Sequence, residues 1–215
     1  MNTSRKHPQA FTLVELLTVI AIIAILMGLL FPVIGTVKDK ARAVDAGNMC
    51  RQLVTAVKAY YTEYGKYPDT TATGTTVSTK DFFAQDDTNG TNLMKVLRAY
   101  PSTDPAVTSF NPRVVSYLDV QDAKDTTPTK AVSGLDSSSR LHDPWGGVYR
   151  IECDANYDNT IINPYTASSG AGGNPLALGA IAWSLGKDGL GATTNTAGQG
   201  AKSASPYLDD VISWQ

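Results

Sequence analysis

The sequence predicts an α+β fold: a long N-terminal helix laid on a small antiparallel β-sheet and closed by a C-terminal loop. Three observations carry this reading. The 22 positions 16–37 hold no charged residue and are mostly Leu, Ile, Val and Ala. Beyond them Cys50, Leu53, Val54, Val57, Tyr60, Tyr61 and Tyr64 recur at helical spacing. From about residue 148 the pattern turns to short apolar runs divided by Gly, Ser and Asn, which is how antiparallel strands read.

The helix comes first. At about 1.5 Å of rise per residue, the uncharged run is long enough to cross a hydrocarbon core of roughly 30 Å. The spacing then continues it as one helix over about 12–64, its first half in lipid and its second half amphipathic on a soluble domain. Gly65 is placed to stop it, with Pro68 just beyond. Pro32, flanked by Gly28 and Gly35, predicts a kink or a locally melted turn.

After the helix, 69–80 is Thr-rich loop. Leu93, Met94, Val96 and Leu97 mark a short helix over 92–100, and 114–120 reads as a strand or an extended edge. The polar, Ser/Thr-rich stretch 121–139 is loop. Strands follow at 148–151 and 178–185, with 160–162 as the hairpin partner of the first. The domain expectation is a short polar leader at 1–10, a membrane helix at 11–37, and a domain at 38–215. About 170 residues beyond the anchor suffice for one domain with a real core.

Charge excludes one class of partner. Without Arg5 and Lys6 of the leader, 16 basic residues face 20 acidic ones, a net of −4. No nucleic-acid footprint is expected. The two cysteines, Cys50 and Cys153, leave two readings open: a disulfide in an exported domain, or two buried thiols.

The most telling residue is Glu15, an ionisable group at the edge of the apolar run. Such a group is costly to desolvate and marks function by default. A cleaved secretory signal would have an apolar core of roughly 7–15 residues and a small-residue cleavage site. This core is longer, and no Ala-x-Ala-like site precedes Lys38. An ordinary signal anchor, with Glu15 at the headgroup level, is the bland alternative. The stretch Phe11-Thr12-Leu13-Val14-Glu15-Leu16-Leu17, behind a short leader with Arg5, Lys6 and His7, resembles the N-terminal methylation motif of type IV pilins and type II secretion pseudopilins.

That resemblance implies a pilin-like fold and a processing chemistry. Prepilin peptidase would cut between Ala10 and Phe11 on the cytoplasmic side and methylate the Phe11 amine. Family leaders usually end in Gly, whereas this one ends in Ala10. The Glu15 carboxylate would pair with the Phe11 amine of a neighbouring subunit, which is how a charge in low dielectric finds a partner. The implied partners are copies of the chain in a filament, minor pseudopilins, an inner-membrane assembly platform, and membrane lipid before assembly. The implied location is the inner membrane, single-pass, with the C-terminal domain periplasmic. The charges flanking the apolar run do not settle that orientation themselves.

The C-terminal half narrows the resemblance. Asp143-Pro144-Trp145-Gly146, Trp183-Ser184-Leu185-Gly186-Lys187-Asp188-Gly189 and Asp209-Asp210-Val211-Ile212-Ser213-Trp214 are similar to landmarks of the major pseudopilin of type II secretion, in that order. Residues 69–142 are longer than the usual counterpart, an insertion in the 38–215 domain. In that family a calcium ion pins the C-terminal loop. By motif position the implied ligands are the Leu185 carbonyl, Asp188, Asp209 and Asp210, a set of hard oxygens that suits calcium. The loop 190–207 departs from the family in length and contains no acid.

Other motifs carry less. Asp154-x-Asn156-x-Asp158 starts like an EF-hand loop but has no Gly at the sixth position, and Tyr165 stands where the bidentate acid belongs. It reads as a polar hairpin turn. His142 beside Asp143, with no placed nucleophile, reads as part of a turn, and no catalytic set appears. Trp145 and Trp183 read as core anchors. The expectation is therefore a filament subunit and not an enzyme. A true type IV pilin and a membrane-anchored binding module are the alternatives.

Overall fold

The computed structural model describes residues 12–71, 80–85, 87–166 and 170–214, with the side chains of 32 and 33 also left aside. It contains one 52-residue helix, α1 (Leu13–Tyr64), and two compact units, divided after Ala41.

In the first unit, the described residues of 12–31 and 34–38 are all exposed, Leu29 at 70% and Phe31 at 71% among them. A helix apolar all round its circumference suits lipid or the core of a larger assembly. The backbone stays helical through Gly28, Pro32 and Gly35, so the expected melted turn is not formed. A proline deletes a single N–H donor, and the helical bonds on either side hold the turn. By length and composition, α1 is apolar enough to cross a membrane.

The second unit begins within α1. Its buried face carries Ala46, Cys50, Leu53, Ala56, Val57 and Tyr60; of the stripe expected from spacing, Val54 and Tyr64 are only half-buried and Tyr61 is exposed. This stripe packs on a four-stranded antiparallel sheet formed by β1 (Phe82–Ala84), β4 (Arg150–Cys153), β5 (Ala180–Ser184) and β6 (Val211–Ile212), adjacent in that order. A separate two-stranded ribbon joins β2 (Gly134–Leu135) to β3 (Leu141–His142). The architecture is α+β and pilin-like.

Strand alternation sorts the two faces. Phe82, Ile151, Cys153, Ala180 and Ala182 join the helix side, where small alanines suit close approach of α1. Phe83, Ile181, Trp183 and Ile212 face a second cluster with Ile161, Tyr165, Leu176 and Ala192 from the C-terminal segments. Trp183 is fully buried there, stacked on Phe83 at 5.7 Å and edge-on to Trp214 at 6.3 Å. It is the anchor its sequence context suggested.

The structure redraws several elements. The partner of β4 is not 160–162 but β1, with β5 on the other side. Ile161 instead bridges Leu176. Turns inside the 154–160 loop, where the Asp154 carboxylate accepts from the Asp158 and Asn159 amides, bend the chain away from a hairpin return. The stretch 114–120 joins no strand ladder: Val114 is left-handed (φ 53°), and the Tyr117 and Leu118 amides both donate to the Leu97 carbonyl. The loop expected at 121–139 contains β2.

The insertion is an integral layer. Helix α2 (Thr88–Arg98) starts earlier than spacing suggested, because the Asp87 side chain caps it by accepting from Gly90 N at 2.9 Å. It buries Leu93, Met94, Val96 and Leu97. Helix α3 (Pro105–Phe110) follows, capped by Asp104 with Pro105 in its first turn. Tyr60 of α1 donates to the Phe110 carbonyl at 2.5 Å, and Tyr64 donates to Asn111 Oδ1 at 2.7 Å. Asn111 is wholly buried and donates in turn to the Val96 and Val115 carbonyls. Both Cys50 and Cys153 are buried free thiols.

Candidate functional site

Ala10 and Phe11, the expected processing pair, lie outside the described residues. Glu15 is described, and its geometry adds something that spacing alone had not suggested. Its Oε2 accepts from Thr12 N at 2.9 Å and from Thr12 Oγ1 at 2.7 Å, while its own N–H donates to Thr12 Oγ1 at 3.2 Å. This is the reciprocal arrangement of a capping box, in which two orphan donors at a helix start are satisfied together. The signal was present in Thr12-x-x-Glu15, one turn ahead of the apolar run. The carboxylate therefore has a partner within its own chain, one residue from the expected cut.

The C-terminal landmarks do come together. Ser184 Oγ donates to Asp143 Oδ2 at 2.5 Å, linking the Asp143-Pro144-Trp145-Gly146 segment to β5. Asp143 is wholly buried, and its Oδ1 accepts from the Trp145 and Gly147 amides, each at 2.9 Å. Burial pushes its carboxyl up, against these hydrogen bonds. His142, expected in a simple turn, sits on β3 and is buried. Its Nε2 is 3.1 Å from Asp136 Oδ2 and its Nδ1 is 2.9 Å from the Gly146 carbonyl.

The four residues implied for calcium sit near one turn without converging. Leu185 is buried at the end of β5. Asp209 Oδ2 accepts from the Lys187 and Asp188 amides at 2.7 and 3.0 Å, and Asp188 Oδ1 accepts from Leu190 N at 2.8 Å. Asp210 turns inward, where its Oδ2 accepts from the Tyr165 hydroxyl at 2.7 Å. Its Oδ1 is buried without a hydrogen-bond partner, and burial pushes its carboxyl up to about 7. The one orphaned oxygen would suit a cation. Yet Asp188, Asp209 and Asp210 do not bring their oxygens within 4.8 Å of one another. The loop is closed in this conformation by hydrogen bonds, and the donor set does not fit a calcium cage.

Among the described residues, the acids that do converge are Asp81, Asp154 and Asp158, one oxygen of each lying within 4.8 Å of the others. Burial, then the charges of Asp158 and Asp154, push the Asp81 carboxyl up to about 6. Neighbouring Glu152 is fully buried, with neither oxygen hydrogen-bonded. Burial and then the charge of Asp81 push it up to about 9, with the Asn195 side chain acting the other way.

Comparison with known proteins identifies the N-terminal segment. Residues 5–31 match the family described as Prokaryotic N-terminal methylation motif. The motif is the prepilin-type signal, and it indicates a type IV pilin-like protein processed by prepilin peptidase. Together with the apolar first half of α1 it points to membrane anchoring. No curated protein and no solved structure matches the chain.

Proposed function

We propose that the chain is a structural subunit of a type II secretion pseudopilus, working by assembly and without catalysis. The observation that carries the reading is a helix with exposed apolar residues all round it, bearing one carboxylate in its first turn, both within or continuous with the matched prepilin-type signal. Peptidase cleavage frees the Phe11 amine. The Glu15 carboxylate then exchanges its Thr12 donors for the Phe11 amine of a neighbouring copy, a stronger, charge-assisted partner. The apolar helix leaves lipid and packs against like helices, with the charged pair setting register. Filament extension from an inner-membrane platform would push exported proteins outward from the periplasm.

Two features favour the secretion branch over a type IV pilin for adhesion, motility or DNA uptake. The C-terminal landmarks are similar to those of the major pseudopilin. Both cysteines are free, so no disulfide closes the C-terminal region. Hydrogen bonds from the 187–188 turn to Asp209 hold that region instead.

Mass spectrometry of the membrane-extracted chain tests the processing step: an N-methylated Phe11 terminus is expected, and an intact Met1 overturns the assembly reading. Gene deletion separates the branches. Accumulation of exported proteins inside the cell with surface pili unchanged supports the pseudopilus. Loss of surface pili with export unchanged supports the type IV pilin.

A further inference from the structure

We propose that Asp81, Asp154 and Asp158 form a binding site for a hard divalent cation of the calcium class, clamping the end of the insertion to the central sheet. The inference is independent of the assembly reading. Strand register builds the site. Phe82 pairs with Cys153 and Phe83 with Glu152, so one step further along the antiparallel ladder sets Asp81 opposite Asp154. The loop leaving β4 curls back and brings Asp158 to the same point, with one oxygen of each acid within 4.8 Å of the other two.

Two unsatisfied groups point to a ligand. Asp81 Oδ1 is buried and has no hydrogen-bond partner. Glu152 of β4 lies two residues before Asp154, on the same sheet face as Asp81 and diagonal to it, next to the trio in register though outside its 4.8 Å grouping. It is fully buried, and neither of its oxygens makes a hydrogen bond. Buried carboxylates are ordinarily paired, hydrogen-bonded or coordinated to metal. Here acids gather at a strand end that sequence order keeps far apart, and a bound cation supplies the missing partner.

The donors select the ion class. An all-oxygen, carboxylate-rich set suits calcium, magnesium or manganese and not a soft metal. Asp158 is exposed, so the site opens to solvent and water completes the shell. Calcium accepts six to eight oxygens in flexible geometry, which fits three carboxylates on a turn and a strand end. Asp154-x-Asn156-x-Asp158, which reads as a plain turn in sequence, becomes half of the site once Asp81 arrives from β1.

The test uses the full chain in detergent, stripped with chelator and titrated with calcium chloride, reading the thermal unfolding midpoint and bound calcium by equilibrium dialysis. The expected result is a saturable rise in midpoint with one calcium bound per chain. Asp81→Asn and Asp158→Asn each abolish both effects, while Asp188→Asn leaves them intact. Asp158 is exposed, so Asp158→Asn is expected to fold and keeps the test decisive if Asp81→Asn does not. No calcium response at millimolar concentration, or a response unchanged by Asp158→Asn, overturns the proposal.

Discussion

Ser184 donates its hydroxyl to Asp143 across 41 positions of sequence, at 2.5 Å, in a fully buried site. The same carboxylate accepts two backbone amides from its own turn. Asp143 therefore shapes the 143–147 turn and ties it to β5 at once.

Asp143→Ala leaves the Trp145 and Gly147 amides and the Ser184 hydroxyl without their acceptor. Unsatisfied buried donors cost about 1–3 kcal/mol each, so a loss of about 3 kcal/mol or more is expected. Ser184→Ala strands the Gly186 amide and one Asp143 oxygen but leaves the 143–147 turn its own bonds, and should cost less, about 1–2 kcal/mol. Urea unfolding of the two variants checks the order.

Asp136 organises the β2–β3 ribbon. It accepts from the Ser138 and Arg140 amides and from the Arg140 and His142 side chains. Burial by itself would raise its carboxyl, but these hydrogen bonds together lower it. A depressed folded-state value means that the contribution is complete above the unfolded value and lost as pH falls through the folded one. Asp136→Asn should therefore destabilise at pH 7 by about 2–3 kcal/mol, and less at pH 3, in urea unfolding at the two pH values.

Glu152 gives the opposite pH dependence. Its folded-state value of about 9 lies above the usual 4.5. The folded chain holds a proton that the unfolded chain releases, so its contribution is complete below about 4.5 and lost as pH rises toward 9. With chelator present, stability should fall between pH 5 and 8 by up to about 1.4 kcal/mol per unit. Asp81 and Asp210, raised to about 6 and about 7, add to the slope at the lower end, so Glu152→Gln should remove chiefly the part between pH 7 and 8, as read from denaturation midpoints across the range.

Tyr165→Phe removes the hydroxyl that serves Asp210 and should cost about 1–3 kcal/mol. The hydroxyl favours the ionised carboxylate, which prevails only above about 7. The loss should thus be larger at pH 8 than at pH 5. Unfolding at both values, with limited proteolysis of the 190–207 loop, reads the effect.

Residues near one another in sequence explain what could be read early. The spacing of Phe11, Glu15 and the apolar run is contiguous, so the prepilin-type signal and the helix were legible directly. So was the α1 stripe from Cys50 to Tyr60, because a helix places its face by local periodicity. The three-residue β1 was not, since a strand that short has no periodicity to detect. That α1 would meet a small antiparallel sheet was readable; that β1 supplies one of its strands was not.

By itself the sequence determined the α+β class, the long helix, the membrane-competent segment and the processing signal. Tertiary structure alone decided that β1 rather than 160–162 pairs with β4, that Asp209 caps a turn with its carboxylate, and that Asp81 stands opposite Asp154. The reason is physical. Helices are written in short-range hydrogen bonds, whereas a sheet draws partners from distant segments and its register is set by which faces can be buried together.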